Sequence, residues 1–206
     1  MSLNRRMVFA VICEDINMKR VFFIDYENVD TAGLNGLSAL TSQDFVFIYY
    51  SERHSKMTFG LHHRINMSNA EFFYRKIKDR SKDSLDRELM DEANFEIVDP
   101  KADYYIISKD KGYDSFVKDK KREGFKVYRN ENIISANDDK REQLRKTIQY
   151  RIGREYNLSD EQVSSIASMI MKSDNKSELN RMLQKMFYNE DVKYIFQRIK
   201  DITYNM

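Results

Sequence analysis

Between Arg20 and about Arg129 the chain alternates short apolar runs with amphipathic stretches, a pattern that few folds accept. The runs are RVFFI (20–24), DFVFIYY (44–50), AEFFYRKI (70–77), DYYIIS (103–108) and FKVYR (125–129). Each has strand length and is rich in Val, Ile, Phe and Tyr. Helical candidates fill the gaps at about 31–40, 54–66, 83–96 and 113–123. Such alternation predicts βαβ units, a parallel sheet and helices on both its faces. Several runs are apolar throughout rather than at every second position, as expected of strands covered on both sides. The expected fold class is α/β, a three-layer α/β/α sandwich around a mostly parallel central sheet.

Beyond about Asn137 the strand signal ends. Leu144, Ile148 and Ile152 repeat at helical spacing, as do Val163, Ile166, Ala167 and Ile170. Leu179, Met182, Leu183 and Met186 repeat likewise, followed by Val192, Ile195, Ile199 and Ile202. Ser159 with Gln162, and Asn175 with Glu178, stand where N-caps and their N3 partners belong. Residues 137–206 therefore predict a small all-helical appendage of three or four short helices, and 18–136 the α/β domain. Residues 1–17 read as an extension or as an added edge strand. Arg5 and Arg6 precede MVFAVIC, but Glu14 and Asp15 follow directly with no small-residue cleavage site, which argues against a secretory leader.

The composition narrows the chemistry. The 206 residues are 41% hydrophobic, ample for a packed core. Cations and anions nearly cancel to a formal net charge of +2, so any nucleic-acid partner must be argued from local patches. A single cysteine, Cys13, excludes an internal disulfide framework and a cysteine-based zinc cluster, and a reducing, cytoplasmic compartment is the simplest reading. No stretch approaches the roughly 18 apolar residues of a membrane span.

The acids fall in a telling place. Asp25 follows the first run directly, with Asn28 one turn of loop further on; Asp86 sits near the start of the helix in KDSLDREL; Asp110 and Asp114 lie in SKDKGYD, just past DYYIIS. In an open parallel sheet the carboxyl ends of the strands form the edge where ligands bind. Three segments thus bring carboxylates to one edge, where they repel one another unless a cation sits among them. Mg²⁺ or Mn²⁺ suits such a site, taking one or two carboxylates and keeping waters. Each acid also has an ordinary structural reading. Asp25 can cap the following helix, Asp110 can open a turn in which Gly112 supplies a positive φ, and Asp86 can favour a helix dipole. Pattern alone leaves both readings open.

Taken in order, FFIDYENV, KDSLDREL and DYYIISKDKGYDSFV resemble the PIN-like nuclease superfamily, particularly its NYN branch, over roughly residues 20 to 129. That resemblance implies a parallel-stranded α/β/α sandwich and a metal-dependent endoribonuclease that hydrolyses phosphodiester bonds, leaving a 5′-phosphate and a 3′-hydroxyl. It implies Asp25, Asp86, Asp110 and Asp114 as the catalytic, metal-holding acids for Mg²⁺ or Mn²⁺. Asn28 would orient a ligand or contact phosphate, and Lys82, Ser84, Ser108 and Lys109 would lie toward the substrate. The helical appendage and residues 1–17 fall outside the resemblance. Whether Glu27 reaches the metal stays open.

RNA, with single strands favoured, is the expected partner, and no membrane is. Cations cluster at 75–82, 118–126 and 140–146, the second of these also reading as a solvated helix face with interspersed acids. Tyr26, Tyr104 and Tyr113 stand near the acids and offer rings for unpaired bases, with Tyr104 also reading as packing. His54, His62 and His63 read as surface residues of one helix, remote from the acids. The C-terminal helices offer a surface for a protein partner or for self-association. Two rival functions stand beside the nuclease. One is a non-catalytic RNA-binding or regulatory module. The other is a haloacid-dehalogenase-like phosphatase, whose first motif needs an Asp where Glu27 stands.

Overall fold

The computed structural model describes residues 20–77, 84–152, 156–173, 175–200 and 202. Residues 1–17 and Lys82 lie outside them, as does the side chain of Ser84. The strands are β1 (Arg20–Asp25), β2 (Asp44–Tyr50), β3 (Glu71–Lys76), β4 (Asp103–Ile107) and β5 (Lys126–Asn130). They form one all-parallel sheet in the order β3-β2-β1-β4-β5. Between them run α1 (Tyr26–Gly33), α2 (Phe59–Asn66), α3 (Ser84–Glu96) and α4 (Asp114–Arg122), and α5 (Ile133–Ile152) follows. This is the α/β/α sandwich that the alternating runs imply.

Side-chain parity explains the layers. Val21 and Phe23 of β1, Phe45, Phe47 and Tyr49 of β2, Tyr104 and Ile106 of β4 and Val127 of β5 share one core. Leu85, Leu89 and Ala93 of α3 and Val117 of α4 close it. Neighbouring rings stack across the strands, Phe23 on Phe47 at 5.6 Å and Phe47 on Phe73 at 4.8 Å between centroids. The alternate residues, among them Ile24, Ile48 and Ile107, face the other way and are equally buried. There Gly33 lets α1 approach closely, since a Cβ would sit 3.3 Å from Ile107 Cγ2 and closer still to Val29.

Two helix starts differ from expectation, each for a local reason. A helical turn begins at Tyr26, ahead of the expected start near 31, because Asp25 caps it by accepting from Asn28 N at 3.2 Å; Asp30, with φ 49° and ψ −152°, kinks the helix before its second piece. The helix expected over 54–66 begins at Phe59, where Thr58 accepts from Leu61 N at 3.1 Å; His54 instead ends a 3₁₀ turn, Glu52–His54. At the amino edge of the sheet Arg20 and Asp44 are register partners on β1 and β2, and Arg20 Nε donates to Asp44 Oδ1 at 2.9 Å. Both side chains are buried, so this ion pair fixes the register while neutralising its acid.

The chain divides into two compact units, 1–135 and 136–206. In the second, α5 is joined by α6 (Asp160–Lys172), α7 (Lys176–Gln184) and α8 (Asn189–Ile199). Leu144, Ile148, Val163, Ile166, Leu179, Leu183, Val192, Ile195 and Ile199 fill its core. Ser159 and Gln162 form the expected capping box, and Asn175 accepts from Glu178 N at 2.9 Å. The first of these helices is not short: α5 runs for 20 residues. Among the described residues no helix is long and apolar enough to cross a membrane.

Candidate functional site

The strand order reverses direction between β1 and β4, and in open α/β sheets ligands bind in the crevice outside the carboxyl ends at that point. Asp25 ends β1, and Ser108, Lys109 and Asp110 follow β4. Ile24 and Ile107 are register partners, so the two chain segments leave the sheet side by side. Asp25 continues the parity of Val21 and Phe23 and therefore points to the face that α3 and α4 cover. Those elements carry Asp86 and, just before α4, Tyr113.

The contacts follow from this placement. Asp25 is only 1% exposed. Its Oδ2 accepts from Ser108 Oγ at 3.0 Å and from Tyr113 Oη at 3.2 Å, and its Oδ1 accepts from Asn28 N. Tyr113 Oη also donates to Asp86 Oδ1 at 2.7 Å. One phenolic proton thus serves two carboxylates. Among the described residues no Lys or Arg ion-pairs with either acid, unlike Asp44 with its arginine.

The electrostatics register the imbalance. Burial, first, and the charge of Asp86 push the Asp25 carboxyl up to about 6, against the hydrogen bonds from Ser108, Asn28 and Tyr113. Burial and the two neighbouring carboxylates push the Tyr113 phenol far up, so it stays a hydrogen-bond donor.

Smaller groups brace the pair. Ser108 is fully buried, and its hydroxyl donates to Asp25 while accepting from Asp110 N at 3.0 Å. Asn28 Oδ1 accepts from Lys109 N at 2.8 Å, tying the start of α1 to the loop after β4. Sequence reasoning assigned Ser108 and Asn28 to the substrate. Ser108 is too deeply buried to touch one, and Asn28 uses its carbonyl as a brace. Lys109 is exposed beside them.

Of the four acids expected to share one ion, Asp25 and Asp86 come together. Asp110 turns its Oδ1 onto Gly112 N at 2.7 Å and caps the short turn Lys111–Tyr113. Gly112 has no positive φ, so that turn needs no glycine freedom. Asp114 pairs with Arg129 Nε at 2.6 Å, and that hydrogen bond holds its carboxyl below the usual range. Among the described residues no three His, Cys, Asp or Glu side chains group as a metal site. The Asp25–Asp86 pair by itself fits a hard divalent ion, because such an ion takes one or two carboxylates and supplies the charge that the shared proton lacks.

The tyrosines and histidines also stand differently from expectation. Tyr26 and Tyr113 are buried, at 6% and 1% exposure, so neither can stack a base. Tyr104 is packing, its hydroxyl accepting from Val98 N and Asp99 N. His54 is not remote from the acids: its Nδ1 lies 3.3 Å from Oε1 of Glu27, two residues past Asp25. Much of the expected basic surface is engaged internally, with Lys120 on Glu123, Arg122 on Asp119, Arg141 on Asp138 and Arg145 on Glu142.

The sequence places Tyr113 near the acids but does not show that its hydroxyl bridges Asp25 and Asp86.

Comparison with curated proteins and with solved structures gave no match to the chain. A PIN domain family model matches residues 19–130, more than half of the 206 residues and all five strands. A parallel sheet whose acids gather at the carboxyl edge and a family match over the same span lead to one conclusion: this chain belongs to the PIN domain family, whose members are generally nucleases.

Proposed function

We propose that residues 18–136 form an NYN-type PIN nuclease domain that hydrolyses phosphodiester bonds of single-stranded RNA with Mg²⁺ or Mn²⁺. The observation that carries this reading is the Asp25–Asp86 pair, two carboxylates at the switch point of the sheet that share one tyrosine proton and have no cationic partner among the described residues. The buried acid Asp44, by contrast, is neutralised by Arg20.

Asp25 and Asp86 would hold the divalent ion, which when bound supplies a lowered water pKa and charge stabilisation at phosphate. Ser108, Asn28 and Tyr113 fix the Asp25 carboxylate in one orientation, so little reorganisation remains when substrate arrives. Tyr113 holds its proton between the two acids and keeps them from turning apart. Lys109 and the side-chain Nδ2 of Asn28 stand at the exposed rim where a phosphate would approach, and Lys82 and Ser84 keep the substrate role implied by the resemblance.

The test uses 5′-labelled single-stranded RNA with Mn²⁺, alongside calorimetric Mn²⁺ titration. Wild type should bind the ion and release 5′-phosphorylated fragments. Asp86→Asn should lose both the ion and at least 100-fold in cleavage rate, as removal of transition-state charge stabilisation does. RNA binding with no cleavage and no Mn²⁺ uptake in wild type would favour the non-catalytic module. Phosphate release from a monoester would favour the phosphatase.

A further inference from the structure

We propose that the segment Ser51 to Phe59 is a ledge for an unpaired base of an RNA strand, with the Phe59 ring as the stacking surface and Arg53 and Lys56 beside the flanking phosphates. The inference rests on the ribonuclease reading above and adds to it the element that would seat the substrate strand.

The segment leaves the sheet at the edge where the acids lie. Tyr49, the register partner of Asp25, is followed by Tyr50 and then the segment itself. Its base is fastened on both sides. Glu52 ion-pairs with Lys76 at the end of β3, and His54 reaches Glu27 at the start of α1. Residues 52–60 are exposed without interruption.

Phe59 is 95% exposed, a costly position for a phenyl ring, yet it is not loose. It is the first residue of α2, whose backbone the Thr58 cap holds, while Leu61 and Ile65 supply the buried face of that helix. At the next residue a Cβ on Gly60 would meet nothing within 4 Å, so the helix start beside the ring is open. A solvent-facing ring on a capped backbone, with cations nearby, suits sequence-tolerant binding of single strands.

Charge selects nucleic acid as the occupant. Between Ser51 and Asn66 the chain carries Arg53, Lys56 and Arg64 against the single acid Glu52, which Lys76 already neutralises. Arg64 is committed to Leu34 O and Asn35 Oδ1. Arg53 and Lys56 form no ion pair among the described residues. With Lys109 at the rim of the acid pair, these two are further cations at the same edge of the sheet to offset the repulsion between the acid pair and an RNA backbone.

The experiment uses the full chain in EDTA, which blocks metal-dependent cleavage, and a single-stranded 12-nucleotide RNA with 2-aminopurine at each position in turn. Wild type should quench the probe at one or two positions. Phe59→Ala should weaken binding about tenfold and abolish that quench, while Phe59→Trp retains both. Arg53→Ala with Lys56→Ala should reduce the slope of log affinity against log salt by about 1.4, two phosphate contacts on a single strand. Quenching and affinity unchanged in Phe59→Ala would overturn the ledge. With Asp86→Asn-sensitive cleavage intact, that result leaves the nuclease standing. Loss of self-association in sedimentation of Phe59→Ala, with RNA binding unchanged, would make the ring a protein contact and overturn the ledge equally. Absence of all RNA binding and cleavage in wild type would remove the nuclease reading and the ledge with it.

Discussion

Asp25→Asn should make the metal-free protein more stable while removing the acid on which the site depends. In the fold the Asp25 carboxyl is pushed from its ordinary 3.8 to about 6 by burial and by Asp86. Each pK unit corresponds to about 1.4 kcal/mol, so ionised Asp25 costs the native state about 3 kcal/mol at pH 7. The native state binds more protons than the unfolded chain between about pH 4 and pH 6, so wild-type stability falls as pH rises through that window. Below it Asp25 is protonated in both states and the cost vanishes. Asparagine carries no charge at any pH. Its oxygen can still accept from Ser108 or Asn28 N, and its amide can donate to Tyr113 Oη, leaving the phenolic proton for Asp86.

Allowing for one weakened hydrogen bond of about 1 kcal/mol, the variant should gain about 2 kcal/mol at pH 7. Glu96, also pushed up by burial, to about 7, titrates in both proteins and cancels from the difference. Urea unfolding in EDTA, followed at pH 4, 5, 6 and 7.5, reads the gain directly. The gain should be complete above about pH 6.5 and reverse at pH 4, where the residual charge cost of about 0.5 kcal/mol no longer offsets the weakened hydrogen bond of about 1 kcal/mol. An Asp25→Asn protein less stable than wild type at pH 7.5, or a gain that persists at pH 4, would refute the assignment of excess negative charge to this pair.

Two further substitutions probe the same region. Tyr113→Phe removes the shared donor and should cost about 1–2 kcal/mol while raising the Asp25 carboxyl above about 6 in a ¹³C NMR titration; a fall would mean the hydroxyl does not favour the charged form. Asp30 has φ 49° and ψ −152°, the one positive φ among described non-glycine residues. Asp30→Gly should relieve that strain and stabilise by about 1 kcal/mol, raising the thermal midpoint by about 3 °C, whereas a lower midpoint would show the conformation to be unstrained.

The sheet was legible because its strands are buried on both faces and so appear as unbroken apolar runs. Each expected strand lies within one or two residues of its observed bounds. Helix starts were less legible where a candidate site residue also serves as a cap: Asp25 reads as an acid past a strand, and its hydrogen bond to Asn28 N adds a helical turn ahead of the kink at Asp30. Tyr113 could not be placed from its neighbours, since a tyrosine beside Lys and Gly reads as exposed until parity and the α3 crossover bury it. Arg129 became the partner of Asp114 only because β5 lies beside β4. Lys82 and Ser84 cannot be compared in this way, because neither side chain is among those described.

The structural and functional readings of Asp25 share a physical basis. A carboxylate can be stationed 1% exposed at the end of a buried strand only if donors stand in for water, and here a helix N–H, a serine hydroxyl and a tyrosine hydroxyl do so. Those donors orient the group without neutralising it. Adding Asp86 to the same phenol increases the deficit of positive charge, which no structural role requires. The sheet has a ready way to avoid such a deficit, since Arg20 neutralises Asp44 at the opposite edge and Arg129 pairs with Asp114 at this one. Among the described residues the acid pair at the switch point of the strand order has no such arginine, and an added positive charge there would relieve the repulsion between its two carboxylates.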